Sequence, residues 1–158
     1  MKIRLLAVGT RMPAWVEAGF ENFRKRLPLE NSLQLIEVAA GGQRDDIRNR
    51  KAEGERLLAR VTDRDFVVVL DEKGRSMDTV KLSQEFEKWR ESGRDLVLLI
   101  GGASGLSQTC KKRADFSWSL SPLTFPHALV RVLVAEQLYR AWSVLMRHPY
   151  HRGCRSDG

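Results

Sequence analysis

The chain has 158 residues, 42% of them hydrophobic, and carries a formal net charge of +7 at pH 7. This length suits one domain around a single core, so we predict one domain over residues 1–158, with residues 153–158 as a frayed tail. The basic charge is compatible with a polyanionic partner such as RNA, and equally with an ordinary solvated surface.

The two cysteines, Cys110 and Cys154, show no spacing typical of a zinc site or a disulfide scaffold, so we expect no metal and a cytoplasmic protein. The first apolar run is short and is broken by Arg4, which argues against a signal peptide. The apolar segment 128–146 carries charged residues in its middle, which argues against a membrane span.

Five apolar runs predict strands, and helical patterns fill the gaps between them. Residues 66–70 and 96–100 are continuously apolar, which is typical of strands buried on both faces, so we expect both at the centre of the sheet. Because strands alternate with helices throughout, the pattern predicts an α/β fold with a parallel sheet in three layers. The predicted strands cover residues 2–8, 32–38, 66–70, 96–100 and 116–120.

Two apolar stripes at helical spacing predict helices. The first stripe follows Pro13, a residue favoured in the first helical turn, and the second stops at Gly93, where helices often end. Residues 40–46 are predicted as a mobile loop. The stripes comprise Trp15, Val16, Gly19, Phe20, Phe23 and Leu27 in the first helix, and Val80, Leu82, Phe86 and Trp89 in the second.

Three loops leave the carboxyl edge of the predicted sheet, where open parallel sheets bind ligands, and we expect them to form one pocket. They are residues 70–74, 101–105 and 121–126. The glycines of the second loop allow it to present backbone amides, and Ser107 caps the next helix, although a tight turn explains the same pattern. The chain lacks the dinucleotide fingerprint and the phosphate-binding P-loop.

The third loop contains Pro122 and Pro126, which remove two backbone donors and stiffen the segment. A stiff segment would hold the backbone of residues 123–125 toward a flat ligand. A rigid linker into the last helix is the alternative interpretation.

The last predicted helix, residues 128–146, has one narrow polar stripe, so most of its circumference needs burial. We infer a dimer interface here, with an ordinary core helix as the alternative. Arg131 falls opposite the polar stripe, either as a snorkelling side chain or as an anion contact. The stripe consists of Glu136, Gln137, Arg140 and Ser143.

Residues 148–152, His-Pro-Tyr-His-Arg, place two imidazoles, a phenol and a guanidinium near the end of the chain. Such rings stack on bases, arginine binds phosphate or base edges, and histidine moves protons near neutral pH. A solvated chain end is the alternative interpretation.

Several motifs spread over nearly the whole chain resemble the RlmH family of SPOUT-class methyltransferases. Members of that family act on N3 of a pseudouridine in large-subunit ribosomal RNA. The match is most specific in the last third of the chain. The motifs lie at residues 5–15, 99–107, 117–121, 126–132, 136–142 and 148–152.

The resemblance implies a SPOUT fold with a deep trefoil knot in the carboxyl-terminal part, S-adenosylmethionine bound bent within the knot, and a homodimer with active sites at the interface. Knots are so rare that spacing alone would not suggest one. The implied cofactor residues belong to the same three loops and are Leu70, Asp71, Gly101, Gly102, Ser121, Pro122, Leu123, Thr124, Phe125 and Pro126.

The implied reaction moves a methyl group from a sulfonium to the ring nitrogen, with loss of the imide proton, and much of the acceleration comes from placement. His151 and Arg152 are the candidate catalytic residues, with His151 helping the proton leave. Tyr150, Arg131 and both catalytic candidates are the expected nucleotide contacts.

The resembled family usually ends near the His-Arg pair, whereas this chain continues through residues 153–158. No appended RNA-binding domain is present, so we expect the substrate to be an assembled ribosomal particle. Two alternatives remain at this point. One is a non-catalytic ribosome-binding or assembly factor, and the other is a SPOUT methyltransferase with another target, such as a ribose hydroxyl or a guanine.

Overall fold

The computed structural model describes residues 1–42 and 44–154, except for the side chain of Cys154. The strands are β1 (Ile3–Val8), β2 (Leu33–Val38), β3 (Phe66–Ser76), β4 (Leu96–Ile100) and β5 (Phe116–Ser119). The α-helices are α1 (Ala14–Arg24), α2 (Asp46–Leu58), α3 (Thr79–Glu91), α4 (Gln108–Arg113) and α5 (His127–Leu145), with short 3-10 helices at Leu29–Asn31 and Pro149–Cys154.

The five strands form one parallel sheet in the order β2-β1-β4-β3-β5. All five residues of β4 are buried, and both β3 and β4 have neighbours on each side, which confirms the prediction that the two continuously apolar runs lie inside the sheet. Crossovers of this kind bring the carboxyl ends of the strands to one edge, which positions the loops of the candidate site.

Helices cover both faces of the sheet, which confirms the predicted three layers. One core cluster packs α1, α3 and α5 against one face, and the other packs α2 and α4 against the opposite face. On the first face, Trp89 of α3 lies edge-on to Phe116 and also contacts Phe66 and Trp118. These rings fill the space between α3 and the strands that carry the site.

Two residues of the predicted apolar stripes lie on the surface. Trp15 is 61% exposed and Val80 is 55% exposed. Each occupies the first turn of its helix, off the buried face that Val16 and Phe20 define in α1 and Leu82 and Phe86 define in α3. Positions two apart on a helix point in nearly opposite directions, so Val80 cannot share the face of Leu82.

The structure corrects one further prediction, for Ser143, and leaves several others untested. Ser143, assigned to the polar stripe of the last helix, is buried, and its hydroxyl donates to the carbonyl of Arg140. The predicted loop at 40–46 includes residue 43, which lies outside the described residues, as do residues 155–158 of the predicted frayed tail. The single domain and the knot stay predictions.

Asp65 ties the start of β3 to the amino-terminal strand. Its Oδ2 accepts hydrogen bonds from the Thr62 amide at 2.7 Å, the Thr62 hydroxyl at 3.0 Å and Arg4 Nη2 at 2.8 Å. Burial raises the pKa of this carboxyl, but the donated hydrogen bonds and the Arg4 charge outweigh burial, so its pKa lies below the usual range. The ionised carboxylate is therefore a stabilising group.

Asp65→Asn is expected to lower the free energy of unfolding by about 2 kcal/mol at neutral pH, since hydrogen bonds to a charged group are lost. Because the folded pKa is depressed, this contribution is full above the unfolded pKa of about 4 and disappears as pH falls through the folded pKa. Denaturant melts should show the two proteins converging in acid. Asp63→Asn, at an exposed position, is the control, and an unchanged gap in acid would contradict the assignment.

Candidate active site

A cavity of about 490 Å³ opens at the carboxyl edge of the sheet, beside the ends of β3, β4 and β5. This volume lies within the range of small-molecule sites. The structure confirms the predicted convergence of three loops on one pocket. Nine of the ten predicted cofactor residues line it, and Pro122 does not: the lining set is Leu70, Asp71, Gly101, Gly102, Ser121, Leu123, Thr124, Phe125 and Pro126.

The first wall of the cavity is an excursion inside β3. The sequence predicts that this strand ends at Leu70, but the strand resumes and continues to Ser76. Leu70 and Arg75 both pair with Trp118 of β5, so residues 71–74 are looped out between them. A polar bulge of this kind carries no apolar alternation, which is why the sequence gives no sign that the strand resumes.

Side chains of this bulge are bound to the other walls. The carboxylate of Asp71 accepts the Lys73 amide at 3.0 Å and lies 3.4 Å from Lys111 Nζ on α4. Glu72 Oε2 accepts from the Thr124 hydroxyl at 2.8 Å, which joins the first loop to the third. Glu72 was not predicted as a site residue, because its partner Thr124 lies 52 residues away in sequence and meets it only in the folded chain.

The second wall is the glycine loop between β4 and α4. Gly105 has φ +81°, and its amide donates to the carbonyl of Gly102 at 3.0 Å, so the loop is a tight turn as well as a cavity wall. A Cβ on Gly101 would stand 2.7 Å from the carbonyl carbon of Gly105. Ser107 Oγ accepts the Cys110 amide at 3.2 Å, which confirms the predicted helix cap.

Helix α2 supports this glycine loop from behind. A Cβ on Gly54 would stand 2.3 Å from Ser107 Oγ, so the helix backbone lies directly against the loop. Ser104 donates to Asp46 Oδ1 at 3.0 Å, which adds a second attachment at the start of α2. The loop therefore has little room to shift.

The third wall is the proline-containing segment before α5. Ser119 Oγ donates to the carbonyl of Ser121 at 3.0 Å, and Ser121 Oγ accepts the amide of Leu123 at 3.0 Å. These bonds close a local turn. Leu123 is 69% exposed at the rim of the cavity, so its side chain is available to cover a bound molecule.

The sequence interpretation missed several lining residues. Apolar side chains from the ends of β4 and β5 and from α5 form much of the interior, among them Ile100, Trp118 and Val130, and Trp118 is only 2% exposed. His127, the first residue of α5, also lines the cavity. The Pro-His pair at the start of the helix was a signal that could have placed His127 here.

Arg131 is held by groups of the protein itself. Its guanidinium is 1% exposed, with Nη1 2.6 Å from Glu37 Oε2 and Nη2 donating to the carbonyls of Val8 and Gly9 at 3.2 and 2.7 Å. The group therefore ties α5 to the ends of β1 and β2. These bonds give Arg131 a supporting part in the fold, and its predicted nucleotide contact stays a prediction.

The tail folds back along the second half of α5. Tyr150 packs against Tyr139 with ring centroids 4.6 Å apart, and its hydroxyl donates to Glu136 Oε1 at 2.9 Å. Burial and the bond to Glu136 raise the pKa of the Tyr150 phenol, so the group remains a donor at neutral pH. Arg152 is exposed, whereas His151 Nδ1 is buried without a hydrogen-bond partner among the described residues.

The 19 residues of α5 span about 28 Å at 1.5 Å per residue. Tyr150 reaches back as far as Glu136, nine residues along α5 from His127, and no described tail residue lines the cavity. The structure thus brings the three loops together and leaves Tyr150, His151 and Arg152 apart from them.

Two further searches cover only residues 1–42 and 44–154. None of the helices there is long and apolar enough to cross a membrane. In the same part of the chain, no group of three or more His, Cys, Asp or Glu side chains is arranged to hold a metal ion.

Comparisons with known proteins agree with this geometry. A family model described as a predicted SPOUT methyltransferase matches residues 1–151. The protein named ribosomal RNA large subunit methyltransferase H from Thioalkalivibrio sulfidiphilus is 55% identical over 155 residues, which cover 96% of this chain and 99% of the relative. The protein of the same name from Hahella chejuensis is 51% identical, with 96% of this chain and 99% of the relative covered.

Solved structures share the fold at low sequence identity. A probable methylase family protein from Haemophilus influenzae matches with a TM-score of 0.56 and 11% identity, over 94% of this chain and 69% of that chain. A putative methyltransferase from Legionella pneumophila, solved in complex with SAM, matches with a TM-score of 0.50 and 10% identity, over 89% of this chain and 66% of that chain.

A parallel α/β sheet with a ligand cavity at its carboxyl edge defines the broad class, which includes methyltransferases with a SPOUT fold. The chain belongs to the SPOUT methyltransferase family.

Proposed function

We propose that this protein transfers a methyl group from S-adenosylmethionine to N3 of a pseudouridine in large-subunit ribosomal RNA. The observation that carries the proposal is the convergence of three loops on one cavity in a chain that is 55% identical, over nearly its whole length, to a relative named as a large-subunit ribosomal RNA methyltransferase. The pseudouridine and its N3 atom come from the motif resemblance.

The cavity suits S-adenosylmethionine in size and chemistry. Leu70, Ile100 and Trp118 offer apolar walls to a flat ring, while Asp71 and Glu72 place carboxylates where hydroxyl or ammonium groups would find acceptors. The rigid segment 121–126 would hold the molecule from the third side. When bound, this cofactor supplies an activated methyl group on a sulfonium.

The protein's own contribution to catalysis is chiefly placement. A fixed cavity orients the methyl donor, and a nucleotide held against the cavity brings the ring nitrogen into line with the methyl group. On the tail, Tyr150 and Arg152 would hold the nucleotide, and His151 would lie beside the reacting nitrogen, so His151 and Arg152 remain the tail's catalytic candidates.

We propose that the active unit is a homodimer, since no described tail residue lines the cavity of its own chain. A second protomer with its α5 antiparallel to the first would bring its tail to the first cavity. Leu129, Leu133 and Val144 on α5 are only partly buried, which leaves apolar surface for such a contact. The alternative of an ordinary core helix accounts only for the fully buried face.

We propose that the substrate is an assembled ribosomal particle in the cytoplasm. The chain is small and basic, with a net charge of +7. Such charge attracts any RNA, so it supplies affinity with little sequence information. A folded ribosomal surface would supply the missing specificity.

Calorimetry with S-adenosylmethionine, followed by transfer of a labelled methyl group to purified ribosomal particles, tests this function. We expect binding by the protein and methylation of particles well above that of free ribosomal RNA. Absence of cofactor binding, with and without ribosomes, would refute the enzyme and favour a non-catalytic assembly factor. A methyl label found on a ribose or a guanine would support a methyltransferase but refute the proposed target nucleotide.

A further inference from the structure

An imidazole lies in the wall of the cavity itself. His127 is the first residue of α5, follows the rigid segment that ends at Pro126, and is half-buried. Its side chain forms no hydrogen bond or ion pair with any described residue. An unpaired imidazole in a ligand cavity is free to accept a proton from a bound molecule.

The carboxylates and one of the ammonium groups around the cavity already have partners. Asp71 lies beside Lys111 and accepts the Lys73 amide, and Glu72 accepts from Thr124. These bonds hold the loops in place, and each carboxylate keeps further lone pairs for a ligand's hydroxyl or ammonium group. His127 is the only histidine among the described residues that line the cavity.

The opposite side of the imidazole faces the corner at the end of β1. His127 Nε2 lies 3.7 Å from the position that a Cβ on Gly9 would take, and Arg131 Nη2 lies 3.6 Å from the same point. Gly9 has φ +108°, a conformation that favours glycine, and a Cβ there would also meet Met12 Cε at 3.2 Å, so the absence of a side chain leaves the imidazole its place in this corner. Arg131 itself is occupied by Glu37 and by two backbone carbonyls.

The other candidate imidazole is less well placed. His151 follows α5 in the tail, its Nδ1 is buried, and it does not line the cavity of its own chain. His127 lines the cavity of its own chain, so each protomer carries this imidazole at its own site. It also needs no rearrangement of the tail to be present where the ligand binds.

We infer that His127 is the proton acceptor of the methyl transfer, an inference that rests on the proposed function. The imide N3–H bond breaks and its proton passes to a ring nitrogen of His127. The electron pair left on N3 forms the new bond to the methyl carbon, while the electron pair of the old carbon–sulfur bond stays on sulfur. The imidazolium then releases its proton to water, so charge and atoms balance.

Charged groups surround His127 and bear on how the methylation rate depends on pH. Arg131 and its partner Glu37 lie on the β1 side, and Asp71, Glu72, Lys73 and Lys111 line the same cavity. Among side-chain types, histidine is the one whose ordinary pKa lies between pH 5 and 8. A rate profile in that interval therefore reports chiefly on the imidazoles.

His127→Gln tests the inference, because an amide fills similar space and accepts no proton at these pH values. We expect cofactor affinity within about threefold of wild type and a single-turnover methylation rate on ribosomal particles about 100-fold lower at pH 7. The variant's rate should keep rising with pH as hydroxide replaces the imidazole, whereas the wild-type rate levels off. Glu91→Gln, at an exposed site on α3, is the control for handling and stability.

Each result of the kinetic experiment decides a different point. A wild-type rate in His127→Gln, or the pH signature in His151→Gln instead, would overturn the inference and leave the proposed function standing. Loss of cofactor binding in His127→Gln would assign His127 a part in shaping the cavity and also overturn it. No methylation by wild type would refute the proposed function, and the inference with it.

A second measurement does not depend on activity. The chain has three histidines, so imidazole signals in nuclear magnetic resonance spectra are few, and the one missing in His127→Gln identifies His127. Adding S-adenosylhomocysteine should shift that signal in the wild type. An unmoved His127 signal at saturating ligand would place the imidazole outside the occupied cavity and overturn the inference.

Discussion

Gly101→Ala is expected to abolish cofactor binding at concentrations that saturate the wild type and to lower methylation by roughly 100-fold or more. The new Cβ would stand 2.7 Å from the carbonyl carbon of Gly105 and 2.8 Å from its oxygen. Both are backbone atoms, so no rotation of a side chain relieves the contact. The glycine loop must therefore move, and it forms one wall of the cavity.

Gly42→Ala is the matched control, since a Cβ there meets nothing within 4 Å. Calorimetry and thermal melts should be run on both variants. We expect Gly101→Ala to remain folded, because the changed residue lies in a loop at the carboxyl edge of the sheet. Wild-type affinity in a folded Gly101→Ala protein would show that this loop does not hold the cofactor.

Removing residues 148–158 is expected to lower methylation by roughly 100-fold while cofactor affinity falls much less. The deleted segment contains Tyr150, His151 and Arg152, the proposed nucleotide contacts, and none of the residues that line the cavity. Deleting only residues 153–158 is the control and should retain activity. Equal activity of the two deletion variants would contradict a catalytic part for the tail.

A mixing experiment distinguishes a tail that acts in its own chain from one that acts in the partner. Protomers lacking residues 148–158 should be co-expressed with Gly101→Ala protomers, each inactive alone. In a mixed dimer, the intact cavity of one protomer meets the intact tail of the other, so activity should return. Mixed dimers that form and remain inactive would refute a site shared between protomers.

Sequence patterns predict the sheet well because burial dictates them. Residues 96–100 are apolar without interruption since β4 lies between two strands and two helical layers. The sequence does not predict that β3 continues to Ser76, because a polar bulge interrupts the residue pattern that marks a strand. The exposure of Trp15 was not predicted, because an apolar stripe shows which side of a helix is apolar but not which of its turns has another element packed against it.

The site is predicted in part for similar reasons. Parallel topology brings the three loops to one edge, so their convergence follows from the order of elements. The place of Arg131 does not follow, because its partner Glu37 lies 94 residues away in sequence and a helical wheel names no partner. The distance between cavity and tail depends on the length and direction of α5, which motifs do not record.

The most direct test of the whole account is mass spectrometry of large-subunit ribosomal RNA from a strain that lacks this gene. The account predicts loss of one N3-methylated pseudouridine, its return with the wild-type gene, and no return with Gly101→Ala. An unchanged modification in the deletion strain, or the loss of a ribose methyl or a methylguanine in its place, would contradict it.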